Sequence, residues 1–157
     1  MTQSSLPNPS VTESRRASTE PVRVLLVDDN EAMLARAAAV LEPAGYVVVG
    51  AVTDGLSALD AAARSRPHVI VLDISMRGMS GLDVAIRLRE ADPHAAIVFL
   101  TVHDEEEFVR AARAVGGLGY VLKPRLVSDL THAIREARRG RPFVSPLVAP
   151  TRAISPS

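Results

Sequence analysis

The sequence predicts an α/β fold in which a parallel sheet is covered by helices on both faces. Short runs that are apolar nearly throughout alternate along the chain with longer stretches whose apolar residues recur at helical spacing. Hydrophobic residues make up 47% of the 157 residues and aromatics only 3%. The core must therefore be built from Val, Leu, Ile and Ala, which suits buried parallel strands better than an aromatic-rich sandwich.

Each element can be justified in order. Residues 1–20 are polar, with Pro, Ser and Thr throughout, and are expected to form a disordered N-terminal tail. The first strand is read in VRVLLVDD, an apolar run ending in acid. NEAMLARAAAVLEPAG follows as a helix, with Met33, Leu34, Ala37, Val40 and Leu41 on one face and Gly45 placed as a C-terminal cap. YVVVGAV is the second strand, and DGLSALDAAARSR the second helix with Asp54 as its N-cap. HVIVLD, AIVFLT and GYVLK give three more strands. GLDVAIRLREAD, DEEEFVRAARAVGG and LVSDLTHAIREARRG give the helices that follow them. Right-handed crossovers then lead to a doubly wound five-stranded sheet of flavodoxin-like (βα)5 type, with strand order 2-1-3-4-5.

Composition narrows the function. Cysteine is absent, which removes disulfides, thiol nucleophiles and thiolate zinc sites. No stretch resembles a signal peptide or a bilayer span, so a cytoplasmic, membrane-free protein is expected. Net charge is formally zero. The basic bias from Arg110 onward reads as a solvated helix face rather than a nucleic-acid footprint. No GxGxxG or GxxxxGK[ST] loop follows the first strand, which argues against a nucleotide-binding protein.

In a doubly wound sheet ligands bind beyond the carboxyl ends of the strands. Those positions carry Asp28 and Asp29, Asp73, Thr101 and Lys123. Each has an ordinary reading, as a helix cap, a turn residue, a β-branched strand end or a surface charge. Together they bring three carboxylates, a hydroxyl and an ammonium to one edge. Such a set of anions calls for a hard divalent cation, most plausibly Mg²⁺, with coordination left for phosphate. Lys123 adds a compositional signal: of 18 Lys and Arg residues it is the single lysine. A compact ammonium fits one phosphoryl group in a tight pocket where a guanidinium fork would not. The parts are those of a phosphoryl-transfer site.

The set VLLVDDN, VIVLDISMRGMSGLD, IVFLT and GYVLKP resembles the receiver domain of two-component response regulators, over residues 22–140. The resemblance implies that Asp73 accepts a phosphoryl group from a phosphohistidine of a sensor histidine kinase or a histidine phosphotransfer protein. It implies Mg²⁺ on Asp29, Asp73 and the main-chain carbonyl of Ser75, with Asp28 acting mainly through water. Thr101 and Lys123 would hold the phosphoryl oxygens. The Lys123–Pro124 bond would be cis. Tyr120 matches the family's switch aromatic, paired with Thr101. Ser75 and His103 would flank the attacking water and tune dephosphorylation. The domain would be a phosphoacceptor with intrinsic phosphotransfer and autodephosphorylation activity rather than an enzyme on a separate substrate.

The segments GGLGYVLKP and HAIREARRGRPFVSP resemble the NarL-like subclass. There a helix-turn-helix domain follows, whereas residues 141–157 here are expected to form a flexible C-terminal tail without one. Direct DNA binding is accordingly not expected, and output would pass through a phosphorylation-switched surface to a downstream protein. A homodimer through helix 4, strand 5 and helix 5 is a further expectation. Arg77 departs from the family, which commonly has proline there, and its side chain is expected to face water. Two alternatives remain: the receiver part of a NarL-like transcription regulator lacking its DNA-binding domain, and a Mg²⁺-dependent aspartyl-phosphate hydrolase. The hydrolase would want a second acid where Ser75 stands.

Overall fold

The computed structural model describes residues 20–147. The expected disorder of residues 1–19 and the expectation for residues 148–157 lie outside them. Among the described residues six strands form one sheet of order β2-β1-β3-β4-β5-β6, every adjacent pair parallel. The strands are β1 (Arg23–Val27), β2 (Val47–Val52), β3 (Val69–Leu72), β4 (Ala96–Thr101), β5 (Gly119–Leu122) and β6 (Phe143–Val144). The helices are α1 (Glu31–Leu41), α2 (Gly55–Ser65), α3 (Gly81–Ala91), α4 (Glu106–Ala114) and α5 (Leu126–Arg138). The order 2-1-3-4-5 is as predicted, with one strand added beyond it.

The sheet divides the core. Val24, Leu26, Val71, Val98 and Val121 point to one face, where they pack with Leu34, Ala37 and Leu41 of α1 and Leu126, Leu130 and Ile134 of α5. Leu25, Val27, Ile70, Leu72, Ile97 and Phe99 point to the other, against Ala58 of α2, Val84, Ala85 and Leu88 of α3, and Ala112 of α4. This is the period-2 alternation of a strand buried on both sides. No part of β3 or β5 is exposed, which explains why these runs have no polar alternation. Among the described residues no helix is long and apolar enough to cross a membrane.

Local chemistry sets the helix ends. Asn30 caps α1, accepting from Met33 N–H at 3.2 Å. Asp54 caps α2, accepting from Ser57 N–H at 2.8 Å, as expected, and Ser80 caps α3 through Leu82 N–H. Helix α1 stops at Leu41, before the predicted Gly45. Pro43 has no N–H with which to continue the ladder, and Gly45 instead closes the following turn at φ 97°. Among the described residues no peptide bond is cis. The Lys123–Pro124 bond is thus trans, contrary to expectation, and Pro124 lies inside a 3-10 turn spanning Lys123–Arg125.

The sixth strand corrects the reading of 141–157 as a flexible tail, for its described part. Phe143 pairs with Gly119 and Val144 with Tyr120. Ser145 beyond them is only 1% exposed. Phe143 joins the cluster on the α5 side, while Val144 and Leu147 join the cluster that contains Tyr120.

Candidate functional site

Ladder hydrogen bonds carry each acid into place. Asp28 N–H donates to Val52 C=O at 3.1 Å, and Asp73 N–H to Val27 C=O at 3.0 Å. The ladder thus runs one residue past β1 and β3 and leaves the two carboxylates side by side. Thr101, opposite Leu122 in the register, ends β4 one strand away, and Lys123 follows β5 directly.

Lys123 bridges two of the acids. Its Nζ lies 2.8 Å from Asp28 Oδ2 and 2.9 Å from Asp73 Oδ2, with side-chain exposures of 12%, 5% and 6%. The contact with Asp73 is an aligned hydrogen bond. Asp28 Oδ2 is buried and takes no aligned hydrogen bond, so its attraction to the ammonium is Coulombic. The other oxygen, Asp28 Oδ1, accepts from Asn30 N–H at 2.9 Å.

Asp29 completes the acidic set. Asp28, Asp29 and Asp73 each offer an oxygen within 4.8 Å of the others. A buried acceptor without an aligned donor inside such a group suits a hard cation with oxygen ligands. Arg77 faces water as expected but also touches this set. Its side chain is 88% exposed, yet Nε reaches Asp29 Oδ2 at 3.4 Å and its main-chain N–H donates to the same oxygen at 2.9 Å. A proline at this position could supply neither contact.

The electrostatics follow from burial among like charges. Burial, reinforced by the neighbouring Asp28 charge, raises the Asp73 pKa against the opposing pull of Lys123. For Lys123, burial alone would lower the pKa, but the short contacts with Asp28 and Asp73 and their negative charges outweigh it and raise it. The ammonium therefore stays charged and the site is poised around it.

Thr101 is fully buried and its Oγ1 accepts from His103 N–H at 3.4 Å. His103 is a junction between elements. Its Nε2 is 2.6 Å from Ser75 Oγ, and its ring stacks on Phe108 at 4.0 Å. Its carbonyl accepts from the Tyr120 hydroxyl at 2.7 Å. Tyr120 is 2% exposed, so its ring is already turned inward. Its phenol pKa is raised by burial and by Glu105, Asp104 and Asp73. A hollow of about 520 Å³ opens beside the acids, lined among others by Asp29, Ser75, Arg77 and Phe108.

Asp28, Asp29, Asp73 and Lys123 thus meet, Thr101 ends the strand between β3 and β5, Ser75 is joined to His103, and Tyr120 is bonded to the His103 carbonyl. Sequence reading missed the grip of Arg77 on Asp29 and the packing of Phe108 on His103. The second had a signal, since Phe108 is an apolar residue five positions after His103 on a helix otherwise acidic at its start.

Comparison with known proteins agrees with this geometry. Residues 24–135 match the family model described as the response regulator receiver domain. The nitrate/nitrite response regulator protein NarP of Escherichia coli is 40% identical over 121 residues, covering 76% of this chain and 56% of NarP. The probable transcriptional regulatory protein TcrX of Mycobacterium tuberculosis is 38% identical over 125 residues, covering 80% of this chain and 53% of TcrX. The chain therefore spans a little over half the length of these relatives. Among solved structures, a LuxR-family two-component response regulator from Aurantimonas sp. SI85-9A1 superposes with a TM-score of 0.76 at 27% identity. That match covers 85% of this chain and 99% of the other. With the family model spanning most of the described fold and the acids, threonine and lysine gathered at its strand ends, the chain belongs to the response regulator receiver domain family.

Proposed function

We propose that Asp73 is the phosphoacceptor of a two-component pathway, served by a sensor histidine kinase or a histidine phosphotransfer protein. The observation that carries this reading is the Lys123 ammonium, held 2.9 Å from the Asp73 carboxylate at the end of β3. In the transfer an Asp73 oxygen attacks phosphorus, the P–N bond of the phosphohistidine breaks, and the imidazole leaves with its electron pair and takes a proton. Lys123 shifts from the carboxylate to an oxygen of the transferred group, and the Thr101 hydroxyl donates to another.

Asp28, Asp29, Asp73 and the main-chain carbonyl of Ser75 are the residues that would hold Mg²⁺, which neutralises charge on the phosphoryl oxygens when bound. Ser75 and His103 stand at the mouth, where water must approach for hydrolysis of the acyl phosphate. Their hydrogen-bonded pair sets the lifetime of the signal. Docking of the kinase falls to the exposed, largely small-residue face of α1 around Ala32, Ala35 and Ala39.

Output is a surface made by α4, β5 and α5. Acidic Glu105 and Glu106 and basic Arg135, Arg138 and Arg139 on that side make a second copy of the chain one fitting partner, tested by elution volume with and without phosphorylation. The likeness to the probable transcriptional regulatory protein TcrX favours a second setting, in which this receiver serves a transcription regulator.

The test is intact mass after incubation with acetyl phosphate. A gain of one phosphoryl group, roughly 80 Da, that needs Mg²⁺ and vanishes in Asp73→Asn is expected. Incorporation that survives Asp73→Asn would overturn the assignment.

A further inference from the structure

We propose that the segment after α5 is a working part of the switch. Ser145 ties β6 to the main chain of Tyr120 and Leu122, so the state of the acceptor site is carried into the chain leaving the domain. This rests on the reading of Asp73 as phosphoacceptor.

Ser145 is bonded on three sides while 1% exposed. Its N–H donates to Tyr120 C=O at 2.8 Å. Its hydroxyl accepts from Leu122 N–H at 3.2 Å and donates to Asp129 Oδ2 at 2.7 Å. Asp129, 6% exposed, also receives Arg125 Nε at 2.7 Å and Ser128 Oγ at 2.9 Å. The hydrogen bonds thus form a loop from Leu122 through Ser145 and Asp129 to Arg125, and Lys123 and Pro124 are the residues enclosed by it. The site lysine sits within the circuit that Ser145 closes.

Tyr120 is held from two directions. Its hydroxyl reaches the loop after β4 at His103, and its carbonyl is taken by Ser145. A change in the site that moves Tyr120, or moves Leu122 beside Lys123, must therefore stretch a bond to the Ser145 main chain or to its short side chain. Serine cannot follow Leu122 and Asp129 if they separate, and an unpaired buried donor or acceptor is costly. The sidechains on either side seat the segment: Phe143 packs on the α5 face and stands 4.9 Å from the His132 ring, while Val144 and Leu147 pack with Tyr120. The bond to Tyr120 C=O continues the β5–β6 ladder, but a strand that only covered the sheet edge would not need the two hydroxyl bonds to Leu122 and Asp129.

The experiment follows amide exchange by NMR in the full chain, with and without Mg²⁺ and beryllofluoride as the phosphoryl mimic. In wild type, the complex is expected to change exchange in 144–147, at the amides of Val144, Ser145 and Leu147, by roughly fivefold or more, together with residues 102–105. Ser145→Ala should keep the response at 102–105, lose it at 144–147, and shift beryllofluoride affinity by the same factor, because coupling is reciprocal. Ser145→Thr, which keeps the hydroxyl, should restore both. A purely structural role would lower stability in Ser145→Ala yet leave affinity unmoved, and this would overturn the proposal. So would a wild type in which 102–105 responds and 144–147 does not. Silence at both segments would overturn the acceptor reading and this inference with it.

Discussion

The Tyr120 hydroxyl donates to the main-chain carbonyl of His103 across 2.7 Å, so a buried ring on β5 is fastened to the loop that bears the candidate site's histidine. Phenylalanine would fill the same space and lose only that bond. Tyr120→Phe is expected to cost about 0.5–1.5 kcal/mol, read as a lower urea midpoint, with faster amide exchange confined to residues 102–105. A stability unchanged within error would show that the bond contributes nothing.

Arg77 occupies Asp29 Oδ2, an oxygen of the acidic set, and so competes with a divalent cation for it. MgCl₂ is expected to raise thermal stability more than NaCl of matched ionic strength, by about 1.4 kcal/mol at ten times the dissociation constant. Arg77→Gln keeps the main-chain bond and removes the competing charge. Calorimetry should find Mg²⁺ bound about 1.5- to 5-fold more tightly, since an exposed pair is worth little. High salt should erase the difference. Weaker binding in the variant would refute the competition.

Gly81 opens α3 directly against the loop after β3. A Cβ there would stand 1.8 Å from Asp73 O and 2.9 Å from Ile74 Cα, both main-chain atoms that cannot swing aside. Gly81→Ala is therefore expected to cost about 3 kcal/mol or more and to displace Asp73. Differential scanning calorimetry and acetyl phosphate labelling together check this. A variant of unchanged stability and labelling would mean the helix start has room to shift.

Asp129 gives a pH signature. Burial pushes its pKa up, but Arg125, Ser145 and Ser128 together outweigh burial and hold it below the usual value. The unfolded chain then binds the proton more readily than the folded one. The stabilisation is fully present above the ordinary carboxyl value of 3.8 and is lost as pH falls through the folded pKa. The Arg125 side chain is 44% exposed, so solvent screens part of the effect. The gap in urea midpoint between wild type and Asp129→Asn should be largest near neutral pH and close below 3.8. A gap constant with pH would assign it to packing instead.

The sheet and the acids were legible because each rests on a local pattern: an apolar run, then an acid, threonine or lysine where the run stops. The sixth strand was not. Phe143–Val144 is a two-residue strand between Pro142 and Pro146, and prolines read as breakers when nothing nearby shows what edge they flank. Ser145 was invisible for the same reason, because a serine becomes buried only through tertiary contacts with Asp129 and Leu122. The side chain of Arg77 was expected in water and does lie mostly there, but its contact with Asp29 joins residues 48 positions apart, which no local rule reaches.

Lys123 carries the only side-chain amine in the sequence, and 12% of that side chain is open to solvent. An acylating reagent that reacts with lysine consequently has one side-chain target, shielded by two carboxylates. Its labelling rate is a built-in footprint: slow while Asp28 and Asp73 hold the ammonium, and faster once they release it. Any enzyme that marks lysines would likewise silence the protein's one side-chain amine and its candidate site in a single act.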